Sequence, residues 1–419
     1  MTADPVAAAV ADAHRREWAF VLAATVRVTR DLDLAEECVQ DAYAKALATW
    51  GSDGVPARPG AWLTTVARRR ALDLLRRDST ARRALPLLVT DRTGLGAPDP
   101  LSGADESGTE EFGDDRLRLV FTCCHPALNT DAQVALALRL LCGLSTAEVA
   151  RAFLVSEATM AARITRAKKK IAAARIPYRV PPRAELPDRV EAVLTVVHLL
   201  FTTGHTTPVG ETLTRADLAG RSRDLARMLA ELLPGAEATG LLALILLTDA
   251  RRAARVDAGG QLVLLADQDR SGWDRRAIAE GLGLVRDALE QGPPGRFTLM
   301  AAIAAVHDEA AAFGDTDWPE IVGLYDLLMR SWPSPVVALN RAVAIGFAAG
   351  PAAGLAALDE LAASPELAGY GYLAAARASF LRRLDRPDEA RLAYSEALLL
   401  TGNDVERDFL AARLDELGS

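Results

Sequence analysis

Apolar side chains recur every three or four positions along almost the whole chain, Ala and Leu dominate, and runs of strict alternation are absent. Such spacing lays one apolar stripe along each helix, so the pattern predicts an all-α fold. The one strand-like piece, Gln261 to Ala266, follows a Gly259-Gly260 turn signal and is too short to found a sheet. Two stretches interrupt the helical pattern. Residues 85–115 combine Pro86, Pro98 and Pro100 with several glycines and many acids against the single Arg92, the composition of a flexible acidic linker. At IPYRVPPRAELP, Pro177, Pro181, Pro182 and Pro187 end a helix running through Ile176 and open a new domain. The expected organisation is a first module over 1–84, the linker over 85–115, a second module over 116–180 and a helical domain over 181–419.

In the last of these, helical segments are punctuated at Pro234-Gly235, Gly259-Gly260, Gly292 to Gly295, Pro333, Pro335, Gly350-Pro351 and Pro387. The segments NRAVAIGFAAGPAAGLAALDELA and AARASFLRRLDRPDEARLAYSEA align at an offset of 34, pairing Ala342 with Ala376 and Ala356 with Ala390. That is the length of a tetratricopeptide unit, with Ala390, Tyr394 and Ala397 as small or packing positions of its second helix. Residues 188–320 show no register of this kind.

The strongest local motif is GLSTAEVARAFLVSEATMAARITRAKKKI, residues 143–171. Ser145 and Glu148 form a capping box opening a helix with Val149, Ala150 and Phe153 inward. Leu154-Val155 makes a turn, Ser156 caps a second helix, and Met160, Ile164 and Ile171 give it a buried stripe, which together describe a helix-turn-helix. The second helix of such a unit enters the major groove by its N-terminal half. Glu157, Thr159, Arg163 and Arg166 are then placed at base edges or nearby phosphates, and Lys168, Lys169 and Lys170 lie along the backbone.

A second constellation is RPGAWLTTVARRRALDLLRR, residues 58–77, an amphipathic helix whose Leu63, Val66, Ala67 and Leu74 leave Arg68, Arg69, Arg70, Arg76 and Arg77 to solvent. Upstream, DLDLAEECVQDAYAKALATW places Glu36, Glu37 and Asp41 on an acidic face, with Leu34, Cys38, Ala42 and Leu47 inward.

Charge sharpens this picture. The net charge of -8 argues against a nucleic-acid binder until the chain is divided at residue 180: residues 1–180 hold 25 Lys+Arg and 22 Asp+Glu (+3), and the rest hold 23 and 34 (-11). The basic residues of the first part cluster in two patches, Arg58 to Arg83 and Glu157 to Arg175, which fits a phosphate backbone touched at two places. Cys38, Cys123, Cys124 and Cys142 lack the spacing of a disulfide framework or zinc site and are expected as buried free thiols, the adjacent Cys123, Cys124 and His125 offering at most a redox or metal switch. No long uncharged apolar run and no signal-peptide pattern is present, so a cytoplasmic protein without membrane contact is expected. No phosphate loop, nucleophile elbow or metal-ligand set appears, and neither an enzyme activity nor a cofactor or metal is expected.

The order D-x-A-E-E-x-V-Q-D-A-Y, then A-W-L-x-T-V-A-R-R-R-A-L-D-x-L-R-R, then a variable linker, then a helix-turn-helix resembles an extracytoplasmic-function sigma factor with its regions 2 and 4. FTCCHPAL and DQDRSGWD further resemble the branch with a long C-terminal, tetratricopeptide-like extension. The resemblance implies that core RNA polymerase (its β' clamp helices and β flap) and promoter DNA are the partners. Asp33, Glu37, Gln40 and Asp41 would contact the clamp helices; Trp62, Arg68, Arg69, Arg70, Arg76 and Arg77 would face the -10 element, where an Arg-lined groove holds a melted strand. Glu157, Thr159, Arg163, Arg166, Lys168, Lys169 and Lys170 would meet the -35 element. Family members usually carry Asn where this chain has Arg69, so the -10 preference does not carry over. Trp62 is read either as a wedge or as a core anchor. The linker is either a spacer or a DNA mimic, and the C-terminal domain either a brace or a surface for a protein or small-molecule partner, implied by resemblance to govern activity. The cluster Asp267, Asp269, Arg270, Trp273 and Asp274 is either a capping knot or a site for a cation or peptide. The competing class is a free-standing helix-turn-helix regulator with a ligand-binding repeat domain.

Overall fold

The computed structural model describes residues 5–84, 114–153, 155–207 and 209–417, which divide into two compact units, 1–196 and 197–419. All of the expected acidic linker but its last two residues, Asp114 and Asp115, lies outside the described residues.

In the first unit, α1 (Pro5–Thr29), α2 (Leu32–Asp53) and α3 (Pro59–Ala84) pack as a three-helix bundle. Asp31 caps α2 by accepting from the amides of Asp33 (2.8 Å) and Leu34 (2.9 Å). Leu22 and Leu63 fill the centre beside Ala35, Cys38, Ala42, Ala67 and Ala71, whose small side chains let the three axes approach closely. Leu47, expected inside, is 52 % exposed: the buried stripe of α2 runs through Ala35, Val39, Ala42, Tyr43, Ala46 and Trp50 and leaves Leu47 on the far side.

Next come α4 (Asp115–Cys123), α5 (Thr130–Leu136), a wide π-helical turn over Ala137–Leu141, α6 (Thr146–Ala152) and α7 (Glu157–Ala173). Asp114 and Asn129 cap α4 and α5. Gly143 takes a left-handed conformation (φ 70°), and a Cβ there would lie 2.8 Å from His14 and Trp18 of α1, so only glycine fits this turn. The α7 helix stops at Ala173, short of the expected Ile176, and Arg175 turns the chain at φ 50°. The proline-rich segment precedes α8 (Leu186–His205), within which the two units divide.

The second unit adds α9 (Ala216–Leu232), α10 (Ala236–Ala250), α11 (Arg275–Glu290), α12 (Arg296–Glu309) and α13 (Trp318–Ser331). It continues with α14 (Pro335–Ala348), α15 (Pro351–Leu361), α16 (Gly371–Arg383), α17 (Pro387–Leu400) and α18 (Asp404–Glu416). Helix α10 is apolar around its whole circumference and is accordingly buried between α9, α11 and α12. A two-residue parallel pair, β1 (Val209–Gly210) with β2 (Gly402–Asn403), joins the start of this unit to its end. Fully buried Asn403 secures the junction: its Nδ2 donates to the carbonyls of Thr207 and Thr212 (3.0 Å each) while Oδ1 caps α18. The expected strand-like piece at Gln261 makes only one antiparallel bridge, Val256 with Leu262.

The hairpins α14–α15 and α16–α17 repeat, but in a different register from the one read along the sequence. Helices α15 and α17 both begin on proline, Pro351 and Pro387, 36 positions apart, and the same offset pairs buried Ala342 with Ala378, Gly354 with Ala390 and Leu358 with Tyr394. An offset of 34 matched alanines with alanines, whereas packing is decided by which positions face the neighbouring helix.

Candidate polymerase and promoter interface

On α2, Asp33, Glu37, Gln40 and Asp41 are all exposed on successive turns. Asp41 accepts from Arg70 Nε of α3 at 2.8 Å, so the acidic face of α2 and the arginine face of α3 meet along one edge. Glu36 departs from the expected acidic face. It is only 5 % exposed and points into the junction with the second module, where Arg139 lies 2.9 Å from Oε1 and Lys168 pairs closely with Oε2. The Arg139 contact is an ion pair without well-formed hydrogen-bond geometry. Lys168 also reaches Asp33, at 2.6 Å. Burial works against the Lys168 charge, and the two carboxylates outweigh it and hold its ammonium above the ordinary lysine value.

On α3, Arg69, Arg76 and Arg77 are exposed and Arg68 and Arg70 half-buried. Trp62 is half-buried with its ring edge-on to Trp50 at 5.6 Å, an aromatic pair that braces α2 against α3.

The two helices α6 and α7 form the helix-turn-helix. Ser145 and Glu148 make the reciprocal capping box (Ser145 N to Glu148 Oε2, 2.7 Å; Glu148 N to Ser145 Oγ, 3.2 Å), and Ser156 accepts from Thr159 N at 3.2 Å. Met160, Ile164, Ala167 and Ile171 face inward. Glu157, Thr159, Arg166, Lys169 and Lys170 stand exposed on the other side. Arg163 is half-buried, paired with Asp131 at 3.2 Å and lying over the Phe153 ring at 5.3 Å. Of the three lysines expected along a DNA backbone, Lys168 is the one turned inward, with a side chain 11 % exposed.

Residues 14–81 match the Sigma-70 region 2 family and residues 118–171 the Sigma-70 region 4 family. The chain belongs to the RNA polymerase sigma factors. It thus binds RNA polymerase and promoter DNA, and the bundle α1–α3 is its region 2 and the helix-turn-helix module its region 4. Residues 189–289 of this sigma factor match a family of unknown function, DUF6596. An uncharacterized protein of Rhizobium meliloti (strain 1021) is 43 % identical over 403 residues, covering 95 % of this chain and 93 % of that one. No solved structure matches.

Arg139 is a functional candidate that sequence reading passed over, and Glu36 is one that it set on the exposed acidic face. Glu36 aligns with Val39 and Tyr43 on the buried stripe of α2, and a charge on such a stripe signals a buried partner. The four cysteines of the sigma factor are free and buried, and burial pushes the Cys38 thiol up to about 11 and the Cys124 thiol to about 12, which keeps both protonated at neutral pH. In the second unit the DQDRSGWD segment is a capping knot. Asp269 caps a short turn at Ser271 N, Asp274 caps α11, and buried Arg270 donates to the carbonyls of His307 and Ala310 (2.7 Å each) while stacking on Trp273 at 4.5 Å. Among the described residues no group of three or more His, Cys, Asp and Glu could hold a metal ion, and no helix is long and apolar enough to cross a membrane.

Proposed function

We propose that this sigma factor is of the extracytoplasmic-function type and that its own C-terminal unit governs its activity. In this reading Asp33, Glu37, Gln40 and Asp41 dock on the β' clamp helices of core polymerase. Trp62 and the arginines at 68, 69, 70, 76 and 77 hold the -10 element as it melts, and the N-terminal half of α7 reads the -35 element through Thr159, Arg163 and Arg166. The observation that carries it is the adjacency of two opposite surfaces on one bundle: an exposed acidic face on α2 and an arginine face on α3, joined at Asp41 and Arg70. A free-standing DNA-binding regulator has no use for the first, whereas a protein that must seat on polymerase and grip DNA together uses both. The paired hairpins α14–α15 and α16–α17 support a tetratricopeptide-like surface for a protein or small-molecule partner, and the excess of acids over bases in that half disfavours a DNA contact.

Run-off transcription with core polymerase on a promoter library tests this. Promoter-specific product is expected from the full-length protein, and Asp41→Arg is expected to abolish both the product and co-purification with polymerase. Tight duplex binding by the protein alone, with no product in the presence of polymerase, would replace this reading with that of a free-standing regulator.

A further inference from the structure

Region 2 and region 4 do not hang apart in the first unit; they are fastened face to face. Lys168 of α7 bridges Asp33 and Glu36 of α2, and Arg139, from the π-helical turn, closes on the other oxygen of Glu36. Around this charged centre, Trp18 Nε1 of α1 donates to the carbonyl of Leu140 at 3.1 Å, and Arg27 of α1 pairs with Asp115 of α4 at 3.5 Å. Beyond the helix-turn-helix, the chain returns to place Tyr178 between the modules, where its hydroxyl lies 2.9 Å from the carbonyl of Ala23 and 3.3 Å from that of Asp115.

This arrangement is incompatible with promoter recognition. Elements centred near -10 and -35 are separated by about 25 base pairs, roughly 85 Å of duplex at 3.4 Å per base pair. Modules in direct side-chain contact cannot occupy both at once. The contacts also consume the surfaces that the proposed function requires: Lys168 spends its charge on α2 instead of a phosphate, and Asp33 spends its own on α7 instead of polymerase.

We propose that Asp33 and Glu36 of region 2 and Arg139 and Lys168 of region 4 form an autoinhibitory latch that holds the free sigma factor closed, and that core polymerase opens it by competing for Asp33 on the α2 face. The inference rests on the polymerase-docking role given to α2 above. Once Asp33 is taken, Lys168 faces Glu36 and Arg139 alone, and separation returns all three to water, where no buried charge is left without a partner. Binding and opening are thereby the same event, and the cost of opening lowers the apparent affinity by the fraction of molecules already open.

The test uses full-length protein and two readouts, the radius of gyration by small-angle scattering and the Kd for core polymerase. Arg139→Glu, at a residue outside both proposed binding surfaces, is expected to enlarge the radius of gyration and tighten polymerase binding about tenfold, the gain for a closed form that outnumbers the open one by ten to one. Arg139→Gln removes the ion pair without bringing a like charge to Glu36, and is expected to shift both values in the same direction by a smaller amount. Trp18→Phe removes the indole hydrogen bond to Leu140, at the cost of some packing on His14 and Tyr43, and serves as a second opening variant should the charge reversal fail to fold. A radius of gyration and an affinity that stay at wild-type values in the folded variants would overturn the latch. Failure of wild-type and variants alike to bind polymerase, with scattering unchanged, would instead remove the docking role, and the latch with it.

Discussion

Arg163 shows how one side chain carries two demands. Its guanidinium lies half-buried over Phe153 and against Asp131, so for the proposed -35 contact it is already oriented before DNA arrives. Truncation to Ala is expected to cost the holoenzyme about 1–3 kcal/mol at one base pair of the -35 element, read as a base-specific loss in competition binding on promoter variants; a uniform loss across all sequences would move Arg163 to a phosphate role. Gly346 is constrained by packing. A Cβ there would sit 2.1 Å from the Phe380 ring, and a Cβ on Gly354 would sit 2.5 Å from Gly346 Cα, so α14 and α15 touch backbone to backbone beneath that ring. Gly346→Ala is therefore expected to destabilise the second unit by about 1–3 kcal/mol, a lower urea midpoint at constant slope, despite alanine's better helix propensity. Glu36 was misplaced by sequence reading, which grouped it with Glu37 and Asp41. On a helix Glu37 and Asp41 share a face while Glu36 points well away from both, and only the presence of Arg139 and Lys168 across the junction makes it tolerable for a carboxylate to turn inward.

At the scale of elements, local chemistry was the better guide. The Ser145–Glu148 box and the Ser156 cap stand where the sequence places them, because a cap is a bond between residues two or three apart and needs no tertiary partner. Ser145→Ala removes the acceptor for Glu148 N, and is expected to lower the stability of the helix-turn-helix by about 1 kcal/mol, detectable as faster amide exchange in the first turn of α6. The repeat of the second unit was legible as a repeat but not in register. Alanine matches alanine at many offsets, and the offset that counts is set by Pro351 and Pro387 at the helix starts and by Leu358 and Tyr394, both buried in one core cluster.

At the scale of the whole molecule, buried histidines couple the second unit to pH. Burial lowers His198 to about 4, His205 to about 2 and His307 to about 3, with nearby arginines adding to the effect, while burial raises Asp308 to about 6. Folded-state values below the unfolded 6.5 give stability that is present above that pH and lost as pH falls through the window; raised Asp308 acts oppositely, its contribution present in acid and lost as pH rises through about 6. Three groups outweigh one, so the melting temperature is expected to fall between pH 7 and pH 5. His198 alone accounts for about 2 kcal/mol of that loss, and His198→Phe, packed on Phe297, is expected to flatten the dependence. A melting temperature that rises toward pH 5 would reverse this assignment. What the sequence determined by itself was the helical class, the caps, the helix-turn-helix, the two basic patches and the family resemblance, since each is written in residues a few positions apart or in their order. What only the tertiary structure decided was the inward turn of Glu36 and Lys168, the fastening of region 2 to region 4 and the closure of the second unit at Asn403. Those contacts join residues far apart in the chain, most of them by more than a hundred positions, and their energy depends on partners that no local pattern can supply.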